Sequence, residues 1–276
     1  QKMLIYKADK TTIELGTSEV DSVVFVEDEV MPGVCPDGNH PHVIDLGLPS
    51  GTKWACCNVG ANSPEEYGDY FAWGETEPKE DYNWSTYKWC NGSIHSATKY
   101  CTDSYYGIVD NKTELEPEDD AATANWGSGW QMPSMDQCDE LINSSYTTTE
   151  WTAENGVYGR KITSKSNGNT IFLPAAGIRD FTSHYYADYR GYYWSRSHYS
   201  DDYYDGAYNQ EFDSSNICTK SSIYRYAGQS VRSVYIEPTL VTGITLSETS
   251  LSLTTGATLP LTTTIQPENA TNKNDS

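Results

Sequence analysis

Basic residues are scarce in this chain: 18 Lys and Arg stand against 39 Asp and Glu in 276 residues, a formal net charge of −21. A surface that acidic repels phosphate backbones and anionic lipid heads, which argues strongly against nucleic acid and membrane surfaces as partners. Long apolar runs are also missing. The longest, such as Val23-Val24-Phe25-Val26 and Ile171-Phe172-Leu173, fall far short of the ~20 residues a helix needs to cross a bilayer. Membrane insertion by the chain itself is therefore not expected. No C-x-x-C occurs among the seven cysteines, which argues against a zinc ribbon or a thioredoxin-like redox pair. The G-x-S-x-G, Walker, G-x-G-x-x-G and H-E-x-x-H patterns are absent as well, and with them the usual sequence signs of hydrolase, nucleotide-binding and zinc-protease chemistry.

Tyrosine is what the chain has in abundance. It holds 22 Tyr and 8 Trp but only 5 Phe, so the predicted core is aromatic, with hydroxyls and indole N–H groups that need partners. The odd cysteine count leaves at least one thiol unpaired in a monomer; Cys90 and Cys101 can bridge across a short loop. Cys56 and Cys57 are adjacent, and in a strand they point to opposite faces, one in the core and one beside it. His40 and His42 share a Pro-flanked loop that reads as solvated rather than metal-binding. The first residue is Gln1, a start that a removed secretion signal and a trimmed chain leave alike.

Composition divides the chain into three zones. Residues 1–30 hold three alternating or β-branched stretches, Met3 to Tyr6, Thr11 to Leu15 and Ser22 to Val26, predicted as strands. Residues 31–237 carry every Trp and all but one Tyr. Helices are expected there at Ser63-Pro64-Glu65-Glu66, from Pro117 to Gly127, and after Ser134, which with Gln137 makes a capping box. Short strands are expected at Lys161 to Thr163, Thr170 to Leu173, Tyr192 to Arg196 and Ser230 to Ile236. Residues 238–276 have no aromatic residue and alternate at Ile244-Thr245-Leu246, Leu251-Ser252-Leu253 and Leu259 to Ile265, a separate β segment.

The stretch VIDLGLPSGTKWACCNVGANSPEEYGDYFAWGETE (43–77) resembles the opening of the Fibrobacter succinogenes major paralogous domain, common in surface proteins of Bacteroidetes-type bacteria. DDAATANWGSGWQMPSMDQCDELI (119–142), LPAAGIRD (173–180), GYYWSRS (191–197) and SVRSV (230–234) follow in the family's order. The resemblance implies a C-type-lectin-like fold, distantly related to formylglycine-generating enzymes. The helix after Trp130-Gln131-Met132-Pro133 would pack on a twisted antiparallel sheet with Tyr192 to Ser195 in a central strand. Residues 244–274 are similar to the first half of a group-2 bacterial Ig-like domain, and the N-terminal stretch resembles a short β leader.

Formylglycine-generating enzymes use two cysteines five residues apart ahead of Tyr-Arg-Tyr. Here CTKSSIYRY runs from Cys218 to Tyr226 with Ile223 at the second position, and a copper site lacking one thiolate is poorly held. DDYYDG (201–206), set on an EF-type loop, puts Tyr203 and Phe212 where oxygen ligands are required. Glu116, Glu118, Asp119 and Asp120 can bind a hard cation or serve a helix N-terminus, and the second reading is preferred. The densest feature is 181–226, with 11 of the 22 Tyr interleaved with Ser, Asp, Asn and Gly. Stiff phenol rings among adaptable polar residues are the chemistry of an antibody paratope. In the strand from Gly191 to Arg196, either Tyr192 and Trp194 or else Tyr193 should face the core.

The expected molecule is α+β: a C-type-lectin-like domain over 31–237 with twisted antiparallel sheets and two or three short helices, flanked by small β segments at 1–30 and 238–276. Its expected role is non-enzymatic, adhesin-like recognition of a glycan or surface protein at the outer cell surface or after secretion, with no cofactor. The expected contact residues are Tyr185, Tyr186, Asp188, Tyr189, Asp201, Asp202, Tyr203, Tyr204 and Asn209. Two other readings stand beside it. One is a structural subunit of a surface appendage, whose half Ig-like sheet leaves an edge for a neighbouring β domain. The other is a formylglycine-generating-type oxidoreductase, against which Ile223 counts.

Overall fold

The computed structural model describes residues 2–6, 12–16, 35, 38, 42–200, 205–237, 243–246 and 263–266. Contacts divide the chain into two units, Met31–Glu237 and a second made of Gln1–Val30 with Pro238–Ser276. The first flank contributes an antiparallel pair, β1 (Lys2–Tyr6) with β2 (Thr12–Gly16), in which Ile5 lies opposite Ile13.

In the Met31–Glu237 unit, β3 (Val43–Asp45), β4 (Lys53–Ala55), β5 (Trp130–Gln131) and β14 (Val234–Tyr235) form one sheet of order β3-β4-β14-β5. β6 (Thr147–Glu154), β7 (Val157–Ser164) and β8 (Thr170–Pro174) make a meander, and β9 (Ile178–Asp180) pairs with β10 (Ser183–Tyr185) as a tight hairpin. The third sheet has the order β11 (Gly191–Ser200), β12 (Asp205–Phe212), β13 (Ile217–Tyr224). The second flank adds β15 (Gly243–Leu246) paired with β16 (Thr263–Gln266). The predicted strands at 22–26 and 251–253 lie outside the described residues. Every strand pair named here is antiparallel, and with two short α-helices the architecture is mixed α+β. Among the described residues no helix is long and apolar enough to cross a membrane.

The helices follow their caps. Asp120 has an extended backbone (φ −88°, ψ 117°), so the stretch from Pro117 is not one helix: a 3-10 turn, Pro117–Asp119, ends there, and Asp120 opens α1 (Ala121–Trp126). Its carboxylate accepts from the N–H of Ala122 and Thr123, the usual service of an N-cap. α2 (Met135–Leu141) has the predicted capping box, with Ser134 and Gln137 serving each other's backbone, and it packs on β11, β12 and β13. The helix expected at Ser63 does not form. Glu66 turns back to accept from the Asn62 N–H, and the chain reaches Gly68 (φ +71°) two residues later, where a Cβ would stand 2.4 Å from the Val59 carbonyl oxygen. A helix cannot propagate through that position.

β11 organises the interior. Tyr192, Tyr193 and Trp194 are all buried, which corrects the expectation that only one alternating set faces the core. Tyr192 and Trp194 lie in one apolar cluster with Phe71, Trp73 and Trp130, while Tyr193 lies in another with Leu173, Phe212 and Leu141. The strand comes first in its sheet order, yet its outer edge is covered. Trp194 N–H donates to Ser230 O, Arg196 N–H to Pro133 O and His198 N–H to Thr113 O. Several polar ends of the aromatic core find partners, while the buried Trp54 Nε1 has none among the described residues. Trp194 Nε1 donates to Phe71 O at 2.8 Å, Trp73 Nε1 to Ser195 O at 2.8 Å and Tyr193 Oη to Pro174 O at 2.7 Å.

Candidate functional site

The β9–β10 hairpin turns through Phe181 and Thr182, with Asp180 opposite Ser183. Phe181 has φ +50°, and Tyr186 (φ +62°) and Asp188 (φ +64°) follow in the next turn. A left-handed backbone costs a non-glycine residue roughly 1–2 kcal/mol, so the surroundings must hold each one. Phe181 exchanges two backbone hydrogen bonds with Tyr82, the Asp188 N–H donates to Ala175 O, and the N–H groups of Tyr189 and Arg190 both donate to Tyr186 O. Gly177 completes the frame: a Cβ there would stand 2.2 Å from Tyr185 O.

This frame holds aromatic rings in solvent. Phe181 is 56% exposed, Tyr185 46%, Tyr186 54% and Tyr189 74%. The rings of Tyr185 and Tyr186 are 6.2 Å apart, and the Arg190 guanidinium lies over the Tyr186 ring at 5.3 Å while pairing with Glu211 at 3.1 Å. Asp188 is exposed and accepts from Tyr67 Oη at 2.6 Å. Burial first, then the hydrogen bond to Asp188, pushes the Tyr67 phenol above its ordinary range, so at neutral pH it remains a donor. Nearby, the Phe181 ring faces Tyr226, which stacks on Tyr224 and meets Trp84 edge-on.

Tyr185, Tyr186, Asp188 and Tyr189 are thus gathered on one exposed turn. Asp201, Asp202, Tyr203 and Tyr204 lie outside the described residues. Asn209 is not on that surface. It sits on β12, 1% exposed, and donates through Nδ2 to Gln229 Oε1, because its face of β12 turns inward. Ile223, at the position of a second thiol in a formylglycine-generating site, packs against the core cluster around Trp194.

The acidic group at 116–120 is already occupied by protein cations. Lys99 Nζ lies 2.5 Å from Glu116 Oε2 and 2.5 Å from Asp119 Oδ2, and Asp119 also receives Lys88 and the Tyr100 hydroxyl. Burial would lower the Lys99 ammonium, but its bonds to Asp119 and Glu116 outweigh that and raise it. Asp120 is a helix cap, as the sequence favours.

A second group escaped sequence reading. Ligand atoms of Cys35, His42, Cys56 and Cys57 lie within 4.8 Å of one another. β4 ends at Ala55 and the chain bends at Cys56 and Cys57, so the two thiols do not alternate as strand residues would. The hydrogen bond to the neighbouring Cys56 thiol lowers the Cys57 thiol against the cost of burial, helped by His42 and the charge of Arg232, and Cys56 is raised in turn. His42 is not a solvated loop residue; its ring packs on Trp126 and Trp130. The available signal was the C-x6-H spacing ahead of two adjacent cysteines. Cys90 and Cys101 are not bridged; their thiols face the carbonyls of Trp84 and Asp103.

No protein-family model, curated protein or solved structure matches this chain.

Proposed function

We propose that the Met31–Glu237 unit is a non-enzymatic recognition module of C-type-lectin-like fold, exported to the cell surface or secreted, that binds a glycan or protein through residues 181–190. The observation that carries the reading is the pairing of solvent-exposed rings with a fixed backbone: Phe181 in the hairpin and Tyr186 and Asp188 in the turn after it all have positive φ, and both are hydrogen-bonded through the main chain. Strain of this kind collects at binding sites, where it presets the shape a ligand meets. Rings held in place lose little entropy on contact, and tyrosine supplies broad area with a hydroxyl at its tip. Asp188 and Arg190 add an acceptor and a cation at the rim. The family resemblance of 43–77 and 191–197 supports the lectin-like assignment, as does a helix following Met132-Pro133 and packed on an antiparallel sheet.

The test is the triple variant Tyr185→Ala, Tyr186→Ala, Tyr189→Ala of the whole chain on a glycan array and a surface-protein panel. Truncated anchors of this type cost about 2 kcal/mol each, so affinity should fall more than about a hundredfold while the melting temperature stays nearly constant, since exposed side chains contribute little to stability. Binding that survives the triple substitution would defeat the proposal, as would a variant that no longer folds.

A further inference from the structure

The cysteine–histidine group has the composition and closure of a structural metal centre, whatever the tyrosine surface binds. Three observations converge on it. The first is geometry. The β3–β4 ladder places Val43 opposite Ala55, and one step further Cys56 N–H donates to His42 O at 2.8 Å. That register sets His42 Nδ1 3.1 Å from Cys56 Sγ. The bend after Ala55 turns Cys57 toward the same point, and Cys35, 1% exposed, closes the group. A tetrahedral zinc ion with Zn–S bonds of about 2.3 Å spaces its donors about 3.8 Å apart, so donors within 4.8 Å of one another need only contract slightly onto it.

The second observation is the surrounding shell. Cys35, Cys56 and Cys57 form a buried cluster with Ala61, covered by Ile44 and Trp126. The His42 ring packs against Trp126 at 4.6 Å and Trp130 at 4.8 Å, two indoles that also meet each other at 5.1 Å. Metal-binding imidazoles need their orientation fixed by neighbours, and the indoles fix this one.

The third is charge. Arg232 is 1% exposed, and the four acceptors of its guanidinium are Asn58 Oδ1, Ala55 O, Cys56 O and Phe172 O, none of which is charged. A buried cation calls for a compensating anion. Three thiolates and one divalent ion sum to a single negative charge, set beside the Cys56 carbonyl that Arg232 already holds. We propose that Cys35, His42, Cys56 and Cys57 bind one zinc ion in a closed, structural Cys3His site. With all four positions supplied by protein, no place is left for water or substrate, so the ion would staple the chain around Cys35 and His42 to the end of β4 and perform no catalysis.

The experiment uses the full chain, reduced and stripped of metal by a chelator, with cobalt(II) as the probe. One equivalent should produce the intense visible bands and thiolate charge-transfer absorption of tetrahedral cobalt, and one equivalent of zinc should bleach them. Zinc should also protect three thiols from a thiol reagent and raise the melting temperature, with no further rise beyond one equivalent. His42→Ala and Cys57→Ser should weaken cobalt binding at least a hundredfold, while Cys90→Ser leaves it unchanged. His42→Cys guards against simple misfolding, since it supplies a thiolate from the same position and should retain tight binding with a stronger charge-transfer band. A folded, reduced chain that shows only weak octahedral cobalt binding would overturn the assignment. So would binding that persists in both His42→Ala and Cys57→Ser, or a disulfide among Cys35, Cys56 and Cys57 in the protein as purified.

Discussion

Arg232→Met isolates what a buried guanidinium does for this fold. Arg232 donates to Ala55 O and Cys56 O at the end of β4, to Asn58 in the following turn, and to Phe172 O in β8, so one side chain ties two sheets together. Hydrogen bonds to a charged group contribute about 1.5–3 kcal/mol each. Against their sum stands the desolvation of the guanidinium, an effective penalty of several kcal/mol that methionine does not incur. Methionine fills the space but leaves four buried neutral acceptors without their donor, at about 1–3 kcal/mol each, and after the desolvation that methionine avoids is subtracted the net loss is about 3–5 kcal/mol. With a urea m-value of about 3 kcal/mol/M, the upper end for small proteins, the unfolding midpoint should drop by about 1–2 M. Tryptophan fluorescence across a urea series reads this directly, because Trp54, Trp73 and Trp194 are all buried. Arg232→Lys keeps the charge but loses the planar fork, and should recover only part of the loss. A midpoint shift below about 0.3 M for Arg232→Met, with an unchanged m-value, would show that desolvation cancels the four bonds and refute the reasoning.

Two further outcomes follow from the same geometry. Asp120→Ala removes the cap on Ala122 and Thr123 and strands the buried N–H of Met132, which donates to Asp120 Oδ2 at 2.8 Å. A lost cap of about 1 kcal/mol and an orphaned donor of about 1–3 kcal/mol predict a total of roughly 2–4 kcal/mol by thermal or urea melting, and a change under half that would contradict it. Acid should destabilise the protein through Asp110 and Asp213. Burial alone would raise Asp110, but N–H donation from Cys101, Tyr100 and Lys112 outweighs it, and Ser215 first, then Asn216, lowers Asp213. A carboxyl lowered in the folded state stabilises above its ordinary range and loses that contribution as pH falls through the folded value. The difference in melting temperature between wild type and Asp110→Asn should therefore shrink as pH drops below about 4; a difference that widens there would reverse the sign.

Local chemistry made parts of this fold readable. Ser134 and Gln137 announce α2 because a capping box is written within four residues, and the short strands expected at Lys161–Thr163 and Thr170–Leu173 appear within β7 and β8. The Ser63-Pro64-Glu65-Glu66 cap misled because nothing local says that Gly68 must press against the Val59 carbonyl, a contact only the folded chain creates. β11 was half legible: alternation tells one face from the other, but not that clusters around Trp73 and around Leu173 would bury both. Of the tyrosine surface, residues 185–189 stood out by composition alone. The neighbouring Asn209 looked equally eligible, since a polar residue in a Tyr-rich stretch carries no mark of which way its strand faces. The thiol cluster was hidden for a related reason: the rule that neighbours alternate in a strand holds for Lys53–Ala55 and stops one residue before Cys56.

The main-chain bonds that shape the hairpin and the turn after it, 178–190, do not run through the side chains at 181, 185, 186 and 189. Gly177, the Tyr82 bridge and the Ala175 carbonyl fix the loop's path, and the rings merely decorate it. Such a facet can be rewritten at 185 and 189, and at 181 and 186 among residues that bear a positive φ, trading one surface chemistry for another without renegotiating the fold underneath. Diversity among descendants of this chain should accordingly gather at those few outward positions, while the turn that presents them keeps its form.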